Sequence, residues 1–331
     1  MRARVVERLG PVGGRPLRSV TLPDPRPGPG EVLVEVRACG VCRTTCTWPK
    51  VISCLAGRIR FRVTRPSASS PSVDRARIGL RWGIDRHRLA AQHMRRCRWC
   101  RTGRENLCPD ATFTGWDADG GYAELAVVPE AYAYRLPGAL DDVRAAPLLC
   151  AGIVGYRALR RAELPPGGRL GIYGFGASAH VVAQVAIAQG AVVHVLTRSA
   201  EARKLALELG VASAGAADAA PPEPLDSAVL FAPAGELVPV AMRALDQGGT
   251  LAVAGIHLSD VPALVYADEL FREKQLRSVT ANTRADGEEF LRLAAALGVR
   301  PTTSVRPLGD ADHALADLAS DRITGAAVLA G

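Results

Sequence analysis

The chain has 331 residues, 48% of them hydrophobic and 22% charged, enough for two domains of ordinary size, each with a sizeable core. No apolar run approaches the roughly 18 residues of a membrane span, and the first residues show no signal-peptide pattern, so a cytoplasmic protein with no membrane partner is expected. The formal charge of +8 is not that of a nucleic-acid binder. Residues 43–104 hold 16 of the 41 Lys and Arg and only two of the 33 Asp and Glu, while the rest of the chain is net acidic; this basic window lacks the aromatic interleaving or docking helix of a nucleic-acid surface.

In chain order, residues 1–42 alternate apolar and polar side chains in short runs such as Glu31-Val-Leu-Val-Glu-Val-Arg37, punctuated by Pro/Gly clusters like Pro25 to Gly30. That pattern predicts a β-rich unit, which closes on Cys-Gly-Val-Cys-Arg-Thr at 39–44. Residues 45 to about 95 have no consistent apolar period and many like charges, and are expected to be poorly ordered. Cys97-Arg-Trp-Cys100 followed by Cys108 gives a C-x2-C-x7-C spacing, part of a tetrahedral thiolate site for structural zinc. Eight cysteines in 331 residues are too sparse for a disulfide scaffold, and in a reducing compartment their clustering points first to metal. Cys150 stands apart, in Pro-Leu-Leu-Cys-Ala-Gly at 147–152.

From about 152 to 285 apolar strands alternate with Ala/Leu-rich helices, which predicts parallel βαβ units. Arg169-Leu-Gly-Ile-Tyr173 reads as a strand, Gly174-Phe-Gly176-Ala177-Ser178-Ala179 as a G-x-G-x-x-G/A turn, and His180 to Gln189 as a helix whose N-terminal amides can face a pyrophosphate. A second strand, Val192-Val-His-Val-Leu196, follows at the interval of a dinucleotide fold and ends on Thr197, Arg198 and Ser199, where the ribose reader belongs. An acid there would accept from the ribose 2′-hydroxyl, whereas hydroxyls and an arginine accommodate a 2′-phosphate, so NADP is modestly favoured over NAD. The tail, with Val305-Arg-Pro-Leu308, a helix-like Asp310 to Ser320 and Gly325 to Leu329, can return to the first unit.

Together with Gly115-Trp-Asp-Ala-Asp-Gly-Gly-Tyr-Ala-Glu124, these features resemble the zinc-dependent medium-chain alcohol dehydrogenases over residues 1–44 and about 97–331. The resemblance implies an α/β protein: a Rossmann doubly wound parallel sheet (152–285) plus a GroES-like β-rich catalytic domain (1–151, with 286–331 returning to it), and an active site in the cleft between them. It implies a small alcohol or aldehyde as substrate, NADP or NAD as hydride carrier, a catalytic and a structural zinc, and is compatible with a homo-oligomer. Cys42 and Cys150 would be catalytic-zinc thiolates, Thr44 the hydroxyl that relays the alcohol proton, and Arg43 a pyrophosphate contact; Cys97, Cys100 and Cys108 would hold structural zinc. In such enzymes zinc acts as a Lewis acid, lowering the alcohol's pKa so that the alkoxide can expel hydride to the nicotinamide. Cys39 matches no ligand position and is expected to be a small buried residue.

The middle of the chain departs from this pattern. The family needs a Gly-His-Glu segment to complete the catalytic zinc site, yet no His occurs between 43 and 86; Met94 stands where a fourth structural cysteine belongs, and Thr45 replaces the usual Asp. The genetic code offers a reason. Read two bases out of phase, the permitted codons of Thr45-Cys-Thr-Trp-Pro-Lys-Val-Ile52 include Leu-His-Val-Ala-Glu-Gly-Asp, with Ala forced by Trp48 and Pro49. The same phase across Arg62-Val-Thr-Arg65 permits Gly-His-Glu. A one-base shift across Arg86 to Arg96 permits Gly-Ile-Ala-Trp-Leu-Arg-Ser-Thr-Cys-Gly-Gly, which restores the missing cysteine. Residues 45 to about 95 therefore read as frameshifted text, both zinc sites being left incomplete. The alternative for the window is a natural insertion, whose Cys46, Cys54, His87 and His93 have no recognisable ligand spacing. For the whole chain the alternatives are a non-catalytic nicotinamide-binding remnant and a zinc-free, quinone-reductase-like enzyme, which would have no need of the cysteine clusters.

Overall fold

The computed structural model describes residues 1–7, 15–43, 55–60, 81–84, 87–88, 97–255 and 257–331. The N-terminal hairpin pairs β1 (Arg2–Val6) with β2 (Leu17–Thr21), and β3 (Glu31–Val41) is the long strand of a seven-stranded sheet. Val32, Leu33 and Val34 along β3 are all buried, so the alternating sequence sits in a strand buried on both faces there, and from Ala38 to Val41 the strand is buried throughout.

Part of the window expected to be poorly ordered is in fact paired. Strand β4 (Leu55–Arg60) lies antiparallel to β3, and β5 (Arg81–Ile84) lies antiparallel to β4. The pairing has a simple cause. Ladder bonds use backbone N–H and C=O groups that every non-proline residue carries, so strand pairing at β3 does not need the side-chain period whose absence motivated the expectation. The short β6 (His87–Arg88) pairs with β7 (Thr112–Phe113), which follows the four-residue helix α1 (Arg98–Arg101). Strands β8 (Leu125–Pro129) and β9 (Ala133–Arg135) pair with β3 and β5.

Helix α2 (Asp142–Pro147), capped by the Asp141 side chain on the Arg144 amide at 2.8 Å, runs into a wider π turn over Leu148–Gly152 and then into α3 (Ile153–Ala162). Pro147 brings no N–H to the ladder, a natural point for the helix to widen.

The second sheet is parallel throughout. Its strands are β10 (Arg169–Tyr173), β11 (Val192–Leu196), β12 (Ser213–Gly215), β13 (Leu225–Leu230), β14 (Leu245–Val253) and β15 (Gln275–Ser278), in the spatial order β12-β11-β10-β13-β14-β15. Between them run α4 (Ala179–Ala188), α5 (Ala200–Glu208), α6 (Leu237–Ala244) and α7 (Tyr266–Glu269). The order reverses between β10 and β13, the switch point at which doubly wound sheets bind ligands outside the carboxyl ends of their strands. One core, centred on α3, α4 and α5, covers one face, and α6 covers the other with Leu237, Val238 and Met242.

Helix α8 (Arg284–Ala296) packs on α3, with Tyr156 and Phe290 ring centroids 5.6 Å apart. The chain then crosses back: β16 (Thr303–Pro307) and β17 (Ala326–Ala330), joined by α9 (Ala311–Ala319), finish the seven-stranded sheet, β17 lying antiparallel to β3 with Ala327 opposite Val41. Arg4 of β1 reaches Asp312 of α9 in a largely buried ion pair that ties the hairpin to this return.

Candidate active site

The glycine turn stands at the carboxyl end of β10. Gly174 takes φ of 85°, and a Cβ there would lie 2.8 Å from the Ala232 backbone nitrogen, so both the conformation and the close approach require glycine. Its N–H donates to the Leu196 carbonyl at 2.8 Å, fixing the turn between β10 and β11. Gly176 differs: a Cβ there would meet nothing within 4 Å, so open space lies over the turn. Ser178, at the start of α4, makes no side-chain cap bond. Ala177, Ser178 and Ala179 thus present the amides of a ten-residue helix to that space. An anionic pyrophosphate fits this arrangement through the amides and the helix dipole.

At the end of β11 the three residues expected to read the ribose take different tasks. Thr197 is buried and donates its N–H to the Gly215 carbonyl at 3.0 Å. Arg198 is exposed. Ser199 caps α5: its hydroxyl accepts from the Ala202 amide at 3.1 Å and donates to Glu201 at 2.9 Å. A second cation, Arg203, donates to the carbonyls of Thr197 and Arg198 at 2.7 and 2.9 Å and so braces this strand end. Sequence reading missed Arg203; the available signal was a basic residue in the first turn of the helix following the ribose strand. The Glu201 carboxyl, held below the usual carboxylate range by the amide and hydroxyl it accepts from, sets a negative charge near Arg203.

The cysteine cluster is compact. The sulfurs of Cys97, Cys100 and Cys108 lie within 4.8 Å of one another, against the buried Tyr132 ring. Cys97 caps α1, its sulfur accepting from the Cys100 amide at 3.5 Å, and that bond leads the interactions that hold the Cys97 thiol below its ordinary range. Three converging thiols, one already inclined to the thiolate, suit zinc at three of its four positions; Met94, at the fourth, lies outside the described residues.

Cys42 follows directly on β3, and Cys150 sits half-buried in the π turn. The β3 backbone at Gly40 lies against Ala146 and Pro147 of α2, which brings the end of that strand beside the turn carrying Cys150. Burial pushes the Cys39 thiol far up, and the nearby Cys150 adds to the shift; Cys39 is 1% exposed, a core residue. Arg43 is ion-paired with Asp321, both side chains about half exposed, so a pyrophosphate role would require it to change partners. Thr44 lies outside the described residues. Among the described residues, the 97/100/108 cluster is the one group of three metal-ligating side chains that converge. Cys42 and Cys150 alone do not make a catalytic zinc site, which takes three protein ligands and an exchangeable position.

These sites sit on a framework shared with known enzymes. Residues 28–138 match the alcohol dehydrogenase GroES-like domain family. The chain is 53% identical to the probable alcohol dehydrogenase AdhA of Mycobacterium tuberculosis (strain CDC 1551 / Oshkosh) over 342 residues, covering 99% of this chain and 97% of that one. It is 33% identical to an alcohol dehydrogenase of Geobacillus stearothermophilus over 316 residues, 91% of each. The structure of a cobalt- and zinc-bound thermostable alcohol dehydrogenase from Pyrobaculum aerophilum superposes with a TM-score of 0.84 at 26% identity, covering 100% of this chain and 99% of that one. The class defined by fold and site is a two-sheet nicotinamide dehydrogenase. The chain belongs to the zinc-type medium-chain alcohol dehydrogenase family.

Proposed function

We propose that this chain is an NAD(P)-dependent alcohol dehydrogenase by descent, built to move hydride between a small alcohol or aldehyde and the nicotinamide, and that residues 45–95 are out of phase with the gene's family reading. The observation that carries the cofactor half is the glycine turn, whose Gly176 faces open space at the N-terminus of α4. Bound NAD(P) would supply the hydride acceptor. The chain's own residues would hold the pyrophosphate on the amides of 177–179 and the adenosine ribose at the end of β11. NADP is favoured by Arg198 and Arg203 and opposed by Glu201, so the preference is modest. Arg198→Ala is expected to weaken NADP binding several-fold while leaving NAD nearly unchanged, since only the former carries the phosphate a guanidinium can pair with; equal loss for both cofactors in titration calorimetry would remove Arg198 from the ribose site.

The catalytic half is argued differently. Two thiolates, Cys42 and Cys150, are what the described residues offer, and Thr44 would serve as proton relay once alcohol is bound. Metal analysis of the purified chain is expected to find at most one firmly held zinc, on the Cys97 cluster. Losing a direct ligand should cost more than the roughly 10–100-fold typical of losing the partner behind a ligand, so a second zinc bound at micromolar or tighter affinity would refute the incomplete site. The remnant reading, a nicotinamide-binding protein without turnover, is distinguished by whether zinc-supplied protein oxidises any alcohol. The thiol cluster at 97, 100 and 108 speaks against a zinc-free reductase.

In this reading the catalytic domain spans 1–151 and 286–331 around a cofactor domain at 152–285, the protein works in the cytoplasm, and it self-associates. Support for the last point is the edge strand β15, in which Leu276 is 39% exposed, and the segment leading into it, where Val265, Tyr266 and Phe271 are more than half exposed. No described helix is long and apolar enough to cross a membrane.

A further inference from the structure

His180 has no part in the reading above, yet it is completely buried and makes two bonds that leave it one protonation state. Its Nδ1 lies 3.0 Å from the Gly176 carbonyl, which can only accept. Its Nε2 lies 3.2 Å from the Thr302 amide, which can only donate. The imidazole is therefore neutral, with its proton on Nδ1, an assignment that follows from the network of partners. Desolvation lowers its pKa, in keeping with that form.

The two partners belong to different parts of the molecule. Gly176 is in the cofactor turn. Thr302 lies between α8 and β16, immediately before the returning strand, and its own carbonyl accepts from the Ala326 amide at the start of β17, at 2.9 Å. One helical turn beyond His180, Gln184 repeats the grip: its Oε1 accepts from the Arg300 amide at 2.9 Å, and its Nε2 donates to the His180 carbonyl at 3.0 Å. A continuous set of bonds thus runs from the glycine turn through His180 to Thr302, on to β17, and across the ladder to β3 and the strand end that precedes Cys42.

We propose that His180 is a positioning residue for the dehydrogenase reaction: it fixes the cofactor turn relative to the crossover at 300–302, so that cofactor bound on the turn steadies β17 and the cysteine-bearing end of β3. The proposal rests on the cofactor reading of the glycine turn, and its test separates the two. Two variants each keep half of the clamp. His180→Asn can still donate to the Gly176 carbonyl but has no acceptor for Thr302; His180→Gln can still accept from Thr302 but no longer reaches Gly176.

Residue-resolved amide exchange on the full chain, with and without saturating NADP⁺ or NAD⁺, reads both bonds. In the unaltered chain the cofactor should slow exchange at Thr302 and Ala326. His180→Asn should speed exchange at Thr302 at least tenfold without cofactor, while His180→Gln should leave it near the original rate, and both should lose the cofactor-dependent slowing. Histidine ¹⁵N NMR of the unaltered chain should show His180 protonated on Nδ1. An Nε2–H tautomer, or equal exchange at Thr302 in the two variants, would overturn the proposal; so would cofactor-dependent slowing that persists in His180→Asn. If neither nucleotide shifts the melting temperature of the unaltered chain, the cofactor reading falls, and the tautomer and cofactor-free exchange still decide the clamp.

Discussion

Rewriting residues 45–95 in the family phase is expected to raise the firmly held zinc from at most one per chain to two, and to bring in alcohol-dependent reduction of NAD(P). The change would supply Asp after Thr44, a histidine for the pair Cys42 and Cys150, and a fourth thiol for Cys97, Cys100 and Cys108. In that repaired chain Cys150→Ser should abolish turnover by removing a direct zinc ligand, and Thr44→Val should reduce it sharply by cutting the proton path. Cys39→Ala should do much less, because Cys39 is a buried core residue that matches no ligand position of the family motif. A repaired chain that binds two zincs but oxidises no primary or secondary alcohol and reduces no aldehyde would refute the function while leaving the fold standing. Resequencing the genomic locus tests the phase itself: an intact family reading there would locate the fault in the recorded sequence, and an unchanged reading would place it in the gene.

The largest stability loss from a single substitution is expected at Asp286. Its carboxylate accepts from Arg157 at 2.6 Å and from the amide and hydroxyl of Thr283, both at 2.8 Å, while its own amide donates back to the Thr283 hydroxyl at 3.2 Å. This capping box starts α8 and joins it to α3. Asp286→Ala removes the carboxylate half of the capping box, leaving the Thr283 hydroxyl on the amide of residue 286, and strands the Arg157 guanidinium, whose side chain is only 16% exposed; breaking one partner out of such a buried pair costs about 3–5 kcal/mol. Arg160, 54% exposed and 4.0 Å from the same carboxylate, should matter by less than about 1 kcal/mol when replaced by Ala. Urea unfolding of the two variants checks the contrast, and similar midpoints for both would show that neither the capping box nor the buried ion pair governs this junction.

What the amino-acid sequence makes legible here is local chemistry. The strands at 169–173 and 192–196 coincide with β10 and β11, because a buried parallel strand is a short apolar run bounded by turn residues. The thiol cluster follows from spacing alone, since its members lie within twelve residues. The edge strands β12 and β15 were not foreseen: three and four residues of mixed polarity carry no period. Ser199 reads as a ribose contact in sequence, but the same hydroxyl is what a helix start needs, and in the structure the cap claims it. Partners far apart along the chain, Arg43 with Asp321 and His180 with Thr302, leave no mark in either local stretch. The strands at 55–60 and 81–84 escape for the opposite reason: their pairing is a property of backbone and neighbours, which the side-chain pattern does not report.

The placement of β17 between β16 and β3 also sets a schedule. Ala327 opposes Val41 across nearly the whole length of the chain, so the zinc-side sheet cannot close until its last strand has left the ribosome. The nucleotide-side sheet, whose strands all lie within 169–278, can form earlier. Contacts so distant in sequence form slowly and leave partly built sheets exposed to aggregation. A nascent chain arrested before residue 326 should therefore already show protease resistance over 169–278 while the strand that leads to Cys42 remains open to cleavage.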